Sequence, residues 1–444
     1  MTMSVKRSTL DKVHAELRRI SALGILIFIW LILATLHQQT PEVTNFEILI
    51  AGGLVVIFSL GIIKFLLVFR TNIPKSLSYL LAFFIWSGVN IVIAFYNGVP
   101  LLWWFRRFFP IATLPLTILV SMVAFRSRTQ IQIGFITLVI ISVAVVAQAL
   151  LGIRSVGLAA VTNLQALRRY GGGYYSSFGV CLIIPFLFHR PRLRALIWFL
   201  LMFGVVVLLV GLILSFTRTY WISTLIAMLF MIYLMTKIRY IKLPIFLIRI
   251  TTFSIVVLAL LVWAAPPSIF NFLISRGASI LQVSQDTSFM DRLMELQGIW
   301  NSFAKNPLTI LTGNGLGAKY TFYSVDPWSY GGIGWVDTDY SHNYYAYLFW
   351  STGLIGFLLY LFFWGSLLRR ILRTLVHFPR IHADLSYCLV GISITIINLL
   401  ITSLTGPPLM EFKWAIYFGV LTGIALNVVR LNNIVRGKQG MKTP

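Results

Sequence analysis

The sequence predicts an all-α polytopic membrane protein, and three observations carry that reading. Hydrophobic residues make up 58% of the 444 positions and charged residues only 11%, against about 25% charged in a soluble domain. The apolar residues fall in about twelve runs, most close to the ~20 residues that a membrane-crossing helix needs. The basic residues gather on one set of connecting segments. The net charge of +24 is therefore read as topology rather than as nucleic-acid binding.

In chain order the expected spans are 20–36, 46–69, 77–95, 109–125, 131–151, 171–188, 195–216, 218–236, 245–265, 343–366, 384–404 and 412–429. The first follows Lys12, Arg18 and Arg19 and lacks an A-x-A-like end, so it is expected to stay in place rather than be cleaved. Only Phe216-Thr217-Arg218 separates the seventh span from the eighth. An even number of spans puts both termini on one side. The segments on that side hold 25 of the 36 Lys and Arg, whereas nine of the 12 acidic residues lie on the other. Both termini are thus expected in the cytoplasm. Three parts follow: helices 1–9 over 1–264, a loop over 265–342, and helices 10–12 with a cytoplasmic tail over 343–444. The loop then faces away from the cytoplasm, which in a Gram-negative cell is the periplasm.

This loop is the one long polar stretch between apolar runs. From Phe289 to Ala304 it carries Met290, Leu293, Met294, Ile299, Trp300 and Phe303 at near-helical spacing. Turn-forming residues follow at Asn306-Pro307 and Gly313-Asn314-Gly315-Leu316-Gly317. Aromatics then cluster from Tyr320 to Tyr340, either as flat faces for sugars or as packing at the membrane interface. A second outer amphipathic segment is expected over 100–109. Cys181 and Cys388 fall inside apolar runs and read as small core residues.

Chemistry has few places to reside. Arg218 sits between two apolar runs without an adjacent acid, a costly position unless it meets an anion such as a phosphate. Arg168 and Arg169 precede Gly171-Gly172-Gly173 and a helix start, where backbone N–H groups can approach an anion. Arg292 opens the amphipathic loop helix beside Asp291, as an anion ligand or as the partner of Asp286 or Glu295. The pairs that Arg106, Arg107 and Arg154 would make are lipid headgroups or loop acids. His342 immediately precedes a helix, whose N-terminal dipole disfavours imidazolium. It is either a proton acceptor or part of a cap with Ser341 and Asn343. A metal centre is not expected, since Asp337 and Asp339 form the only Asp-x-Asp pair. Acids are scarce at membrane depth, which weakens a proton-coupled transport reading.

These motifs together resemble the O-antigen ligase and O-antigen polymerase family of bacterial envelope proteins. The resemblance rests on Phe216-Thr217-Arg218-Thr219-Tyr220-Trp221, on Asp291-Arg292 through Gly313-Asn314-Gly315-Leu316-Gly317, and on His342-Asn343-Tyr344 running into Gly353-Leu354-Ile355-Gly356. It covers about 160–350. It implies a glycosyltransferase of the membrane-embedded C superfamily, in the inner membrane with its active site facing the periplasm. It implies a donor glycan on undecaprenyl diphosphate and no cofactor or metal ion. By the same resemblance Arg218 and Arg292 hold the diphosphate and His342 activates the acceptor hydroxyl. Arg169, Gly172, Asn343 and Tyr344 are expected to bind diphosphate or glycan. The expected reaction is polymerisation of lipid-linked repeats. The alternatives are ligation to a sugar of the lipid A core, and a lipid-linked glycan flippase or polysaccharide transporter. The expected partners are donor, acceptor and membrane lipids, with no nucleic acid.

Overall fold

The computed structural model describes residues 21–36, 45–69, 74–156, 172–188, 195–238, 274, 287–326, 332–376 and 383–438. The ninth expected span, 245–265, lies outside the described residues, as does Arg169. The helices are α1 (Ala22–Leu36), α2 (Asn45–Phe69), α3 (Lys75–Val89), α4 (Ile91–Tyr96), α5 (Leu101–Ala124), α6 (Arg128–Val156), α7 (Tyr174–Phe188), α8 (Ala195–Leu214) and α9 (Arg218–Lys237). Then come α10 (Thr287–Lys305), α11 (Thr309–Thr312), strands β1 (Tyr320–Ser324) and β2 (Gly334–Thr338), α12 (Tyr344–Val376), α13 (Ala383–Thr402) and α14 (Phe412–Lys438). Among the described residues nine helices are long and apolar enough to cross a membrane, and two shorter apolar ones accompany them. The chain is an all-α polytopic membrane protein, with one small hairpin.

Burial ranks the spans. The apolar windows of α14, α13 and α5 are 89%, 83% and 72% buried, against 33–39% for most of the others. These three form the centre, and the remaining spans present apolar faces outward. Small residues let α14 approach α5: a Cβ on Gly419 or Gly423 would run into Thr117 or Ser121. Some buried polar side chains bond across helices. Asn398 of α13 donates to Ser177 Oγ of α7 at 2.7 Å.

Two elements differ from expectation. Residues 100–109 do not form a separate outer segment. α5 runs unbroken from Leu101 through Pro110 and Pro115. Prolines are tolerated within membrane helices when neighbours and Ser/Thr hydroxyls take up the freed groups, and Thr113 Oγ1 donates back to Phe109 O at 2.8 Å. The loop also holds an antiparallel hairpin, with Tyr320 opposite Thr338 and Ser324 opposite Gly334. The aromatics read as a cluster thus include alternating strand positions: Tyr320, Phe322 and Ser324 are buried, while Thr321 and Tyr323 face out.

The turn over 313–317 locks the loop to the bundle. α12 breaks its helical dihedrals at Gly353, where φ is 68°. The break frees three successive carbonyls. Asn314 N–H reaches Trp350 O at 2.9 Å and Gly315 N–H reaches Ser351 O at 3.0 Å. Trp86 Nε1 reaches Thr352 O at 2.8 Å. Asn90, 1% exposed, holds the turn from the other side by donating to Thr312 O and accepting from Leu316 N, both at 3.0 Å. Gly353 and Gly313 face each other backbone to backbone, and a Cβ on either would overlap the other's strand of chain. Gly353→Ala combines a positive φ with that overlap. It is expected to lower stability by at least about 2 kcal/mol, read as a drop in the thermal midpoint in detergent. Gly365→Ala, in open space on the same helix, should leave the midpoint in place.

Candidate active site

α10 places two carboxylates on one face, Asp291 and Glu295, spaced i, i+4. Both are buried, at 2% and 0% exposure, among the apolar residues Ile299 and Phe303 of the same face. A buried carboxylate is costly unless donors surround it. Asp291 accepts from Ser324 Oγ at 3.1 Å, Val325 N–H at 2.7 Å and Asp326 N–H at 3.2 Å. It fixes one end of the hairpin. Glu295 fixes the other: its Oε2 accepts from Ser341 Oγ at 3.0 Å and His342 N–H at 2.9 Å. Its Oε1 meets His342 Nδ1 at 2.6 Å.

That last contact sets the chemistry of the ring. A carboxylate only accepts, so against Glu295 Oε1 the Nδ1 atom is the donor, and Nε2 is the ring nitrogen on the side away from that contact. Glu295 is 1% exposed in its side chain while His342 is 32% exposed, so the anchor is interior and the ring reaches outward. The helix cap is a different residue. Asn343 Oδ1 accepts from Tyr345 N–H at 3.0 Å and Ala346 N–H at 3.1 Å. His342 is therefore released from the capping alternative.

Tyr340 packs edge-on against the His342 ring at 5.2 Å. Burial raises its phenol pKa, with Glu295, Glu411 and Tyr220 adding to the rise and Arg107 opposing it. The phenol thus stays protonated at neutral pH, surrounded by groups from four parts of the chain. Arg107 of α5 forms a bidentate pair with Asp339 at 2.6 and 2.9 Å and so ties the segment leading to His342 onto the bundle. Asp337 accepts from Thr321 Oγ1 at 2.5 Å.

Arg218 is the first residue of α9. The preceding turn is strained: Phe216, 1% exposed, has φ 48°, an outlier for a bulky residue. Ser215 and Thr217 hold that turn through Thr217 Oγ1 to Ser215 O at 3.0 Å. Trp221 Nε1 clamps α9 to α8 through Leu212 O at 2.8 Å. Near Arg218, Thr219 bonds Thr405 at 2.7 Å and Tyr220 packs on Tyr174 at 4.8 Å. Tyr174 in turn meets Trp414, and Tyr344 N–H bonds Ser403 O at 2.9 Å. The N-terminal ends of α7, α9, α12 and α14 therefore gather at one end of the bundle, together with Arg107 near the start of α5. That end carries their positive dipole ends and suits an anion.

Arg292 stands one turn before Glu295 on α10, and its Nε is buried without a hydrogen-bond partner among the described residues. Both oxygens of Glu295 are directed at Ser341 and His342. Asp286, the other partner offered by the sequence, lies outside the described residues. Gly172 has φ 71°, and a Cβ there would strike Val146; its backbone conformation and close packing account for the glycine. Asn343 spends its carbonyl oxygen on the cap. Tyr344, expected to bind diphosphate or glycan, is 2% exposed and packed against Tyr347 and Tyr360. Sequence reasoning passed over Glu295 as a partner of His342. The available signal was an acid in line with Ile299 and Phe303, on a face that should be apolar.

The fold and this end of the bundle define a class: a multi-pass membrane protein with a His–Glu pair, and with Arg218 and Arg107 where several helix N-termini gather. Residues 203–361 match the model of the family described as O-antigen ligase, in agreement with the O-antigen ligase and polymerase family that the motifs resemble. No curated protein matches the chain. The matched segment contains Arg218, Arg292, Glu295, His342 and the kink at Gly353.

Arg107 and Asp339 are 17% and 15% exposed. Removing one partner leaves the other charge buried, so Arg107→Ala should destabilise, by less than the roughly 3–5 kcal/mol of a fully buried pair. The double variant with Asp339→Ala should recover part of the loss. A double-mutant cycle of thermal midpoints measures this, and strict additivity would show that the two do not act as a pair.

Proposed function

We propose that the protein is a membrane glycosyltransferase that moves a glycan from undecaprenyl diphosphate to an acceptor hydroxyl on the periplasmic side. The observation that carries this is the His342–Glu295 pair, which leaves Nε2 as a half-exposed proton acceptor. The acceptor O–H gives its proton to Nε2, and its oxygen forms a bond to the anomeric carbon as the bond to the lipid diphosphate breaks. Negative charge grows on the departing diphosphate. Arg218 at the α9 N-terminus and Arg292 with its unpartnered Nε are the cations suited to stabilise it. In this reading they supply the charge that a metal ion supplies elsewhere, and Arg169 is a further phosphate ligand. Glu295 acts through His342 as a positioning residue, holding the tautomer and the ring.

The acceptor we favour is a second lipid-linked repeat unit, which makes the protein a polymerase of O-antigen or exopolysaccharide. The family description, O-antigen ligase, favours a second reading in which the acceptor is a sugar of the lipid A core. Deletion separates them. Loss of a polymerase leaves single-repeat product on the surface, and loss of a ligase strands the glycan on its carrier. Full-length surface polymer in the deletion strain would overturn both.

With purified protein and lipid-linked donor, His342→Ala should lower turnover about 10²–10⁴-fold and Arg218→Ala about 10²–10³-fold. Full turnover in both variants sinks the site assignment. Glu295→Gln should lower kcat with little change in KM, and Glu295→Asp should restore part of the rate. A purely structural role for Glu295 predicts lost thermal stability with unchanged turnover of the folded fraction.

A further inference from the structure

The hairpin beside the candidate site has two unlike faces. Its inner face carries Tyr320 and Phe322, both buried. Tyr320 meets Trp350 of α12 with ring centroids 5.7 Å apart, and a Cβ on Gly298 of α10 would run into Phe322. Strand alternation turns the outer face away from both helices. The register gives that face two cross-strand pairs, Tyr323 opposite Trp335 and Thr321 opposite Asp337.

Trp335 is 75% exposed and Tyr323 41%. Their rings meet edge to face, with centroids 5.5 Å apart and planes at 80°. That contact steadies the hairpin, yet it leaves most of the indole uncovered. Exposed apolar side chains scattered singly are ordinary. Two large rings held side by side by strand register form a platform.

The polar pair shares this platform. Thr321 Oγ1 donates to Asp337 Oδ1 at 2.5 Å. The bond fixes the carboxylate two positions along β2 from Trp335, and it uses one of the about four acceptor positions that a carboxylate offers. A sugar ring has apolar C–H faces and a rim of hydroxyls. An aromatic face, negative at its centre, suits the C–H face, and a fixed carboxylate accepts from the hydroxyls. Lipid suits this surface less well, because Asp337 would enter the bilayer with the rings. β2 also leads toward the candidate base: from Trp335 to His342 the chain spans at most about 25 Å.

We infer that the outer face of the hairpin is a carbohydrate-binding subsite, with Trp335 and Tyr323 as its stacking surface and Asp337 as its hydroxyl acceptor. The identity of the glycan rests on the glycosyltransferase reading; the binding itself needs no turnover. Calorimetry on the purified full chain tests it, with the lipid-free oligosaccharide released by mild acid from the lipid-linked donor as the probe. The parent and His342→Ala should bind it alike. The Trp335→Ala/Tyr323→Ala double variant should bind it at least roughly tenfold more weakly, and Trp335→Phe should keep part of the affinity. With the intact donor, the double variant should raise KM and leave kcat near that of the parent.

A parent that binds the probe through Trp335 but does not turn over the donor would sink the glycosyltransferase reading and keep the subsite. Parent turnover with unchanged affinity in the double variant would overturn the subsite and leave that reading standing. A parent that does not bind the probe would overturn the subsite as well. A lower thermal midpoint with unchanged affinity of the folded fraction would mark a purely structural pair and overturn it too. Cys181 and Cys388 are buried, so a spin label on Trp335→Cys reports on this face alone. Shielding of that label from a water-soluble relaxation agent in nanodiscs would place the face in lipid and overturn the inference.

Discussion

The candidate site depends on one buried carboxylate. Glu295 lies at the interior face of α10 with no solvent to stabilise it, so its charge requires donors from the protein. Three of those donors come from Ser341 and His342, at the junction of the hairpin with α12. The same three bonds therefore hold the loop down, end the hairpin and choose the histidine tautomer. Asp291 does the equivalent work one turn earlier for the other side of the hairpin. A loop that also packs Ile299, Phe303, Leu316 and Phe322 into the core gains further definition because leaving either carboxylate unsatisfied would be costly.

A second constraint operates from below. The break at Gly353 exposes carbonyls of α12, and the glycine-rich turn fills them with its own N–H groups. In a bilayer there is no water to substitute. The kink and the turn are therefore a single unit: neither is satisfied without the other. Trp86 and Asn90 extend that unit into α3 and α4. The segment from 313 to 353 is in this way anchored at both ends of the site, to α10 through Glu295 and to α12 through the kink.

The fold was largely legible because membrane spans depend on local composition. Length and hydropathy of each run are independent of what it packs against, and eleven of the twelve expected runs fall on described helices. Arg218, Arg292 and His342 stood out as candidates for a related reason, since cations and a lone histidine beside apolar runs contrast with a hydrophobic background. The hairpin was not. Tyr320–Ser324 and Gly334–Thr338 are each five residues long, too short for alternation to declare itself among so many aromatics. The fused helix through Pro110 was hidden by a correct local rule, because proline ends helices in water more readily than between packed membrane helices.

The sequence by itself determined the class of protein, the positions of most spans, the polar loop and the arginines that stand out as candidates. These follow from transfer of side chains between water and lipid, a property of each residue. Only the tertiary structure decided which charges have protein partners. Arg107 is matched by Asp339 across 232 positions and Glu295 by His342 across 47, while Arg292 Nε meets no acceptor among the described residues. Pairing depends on distances of a few ångströms between residues far apart in the chain, and no local pattern encodes them.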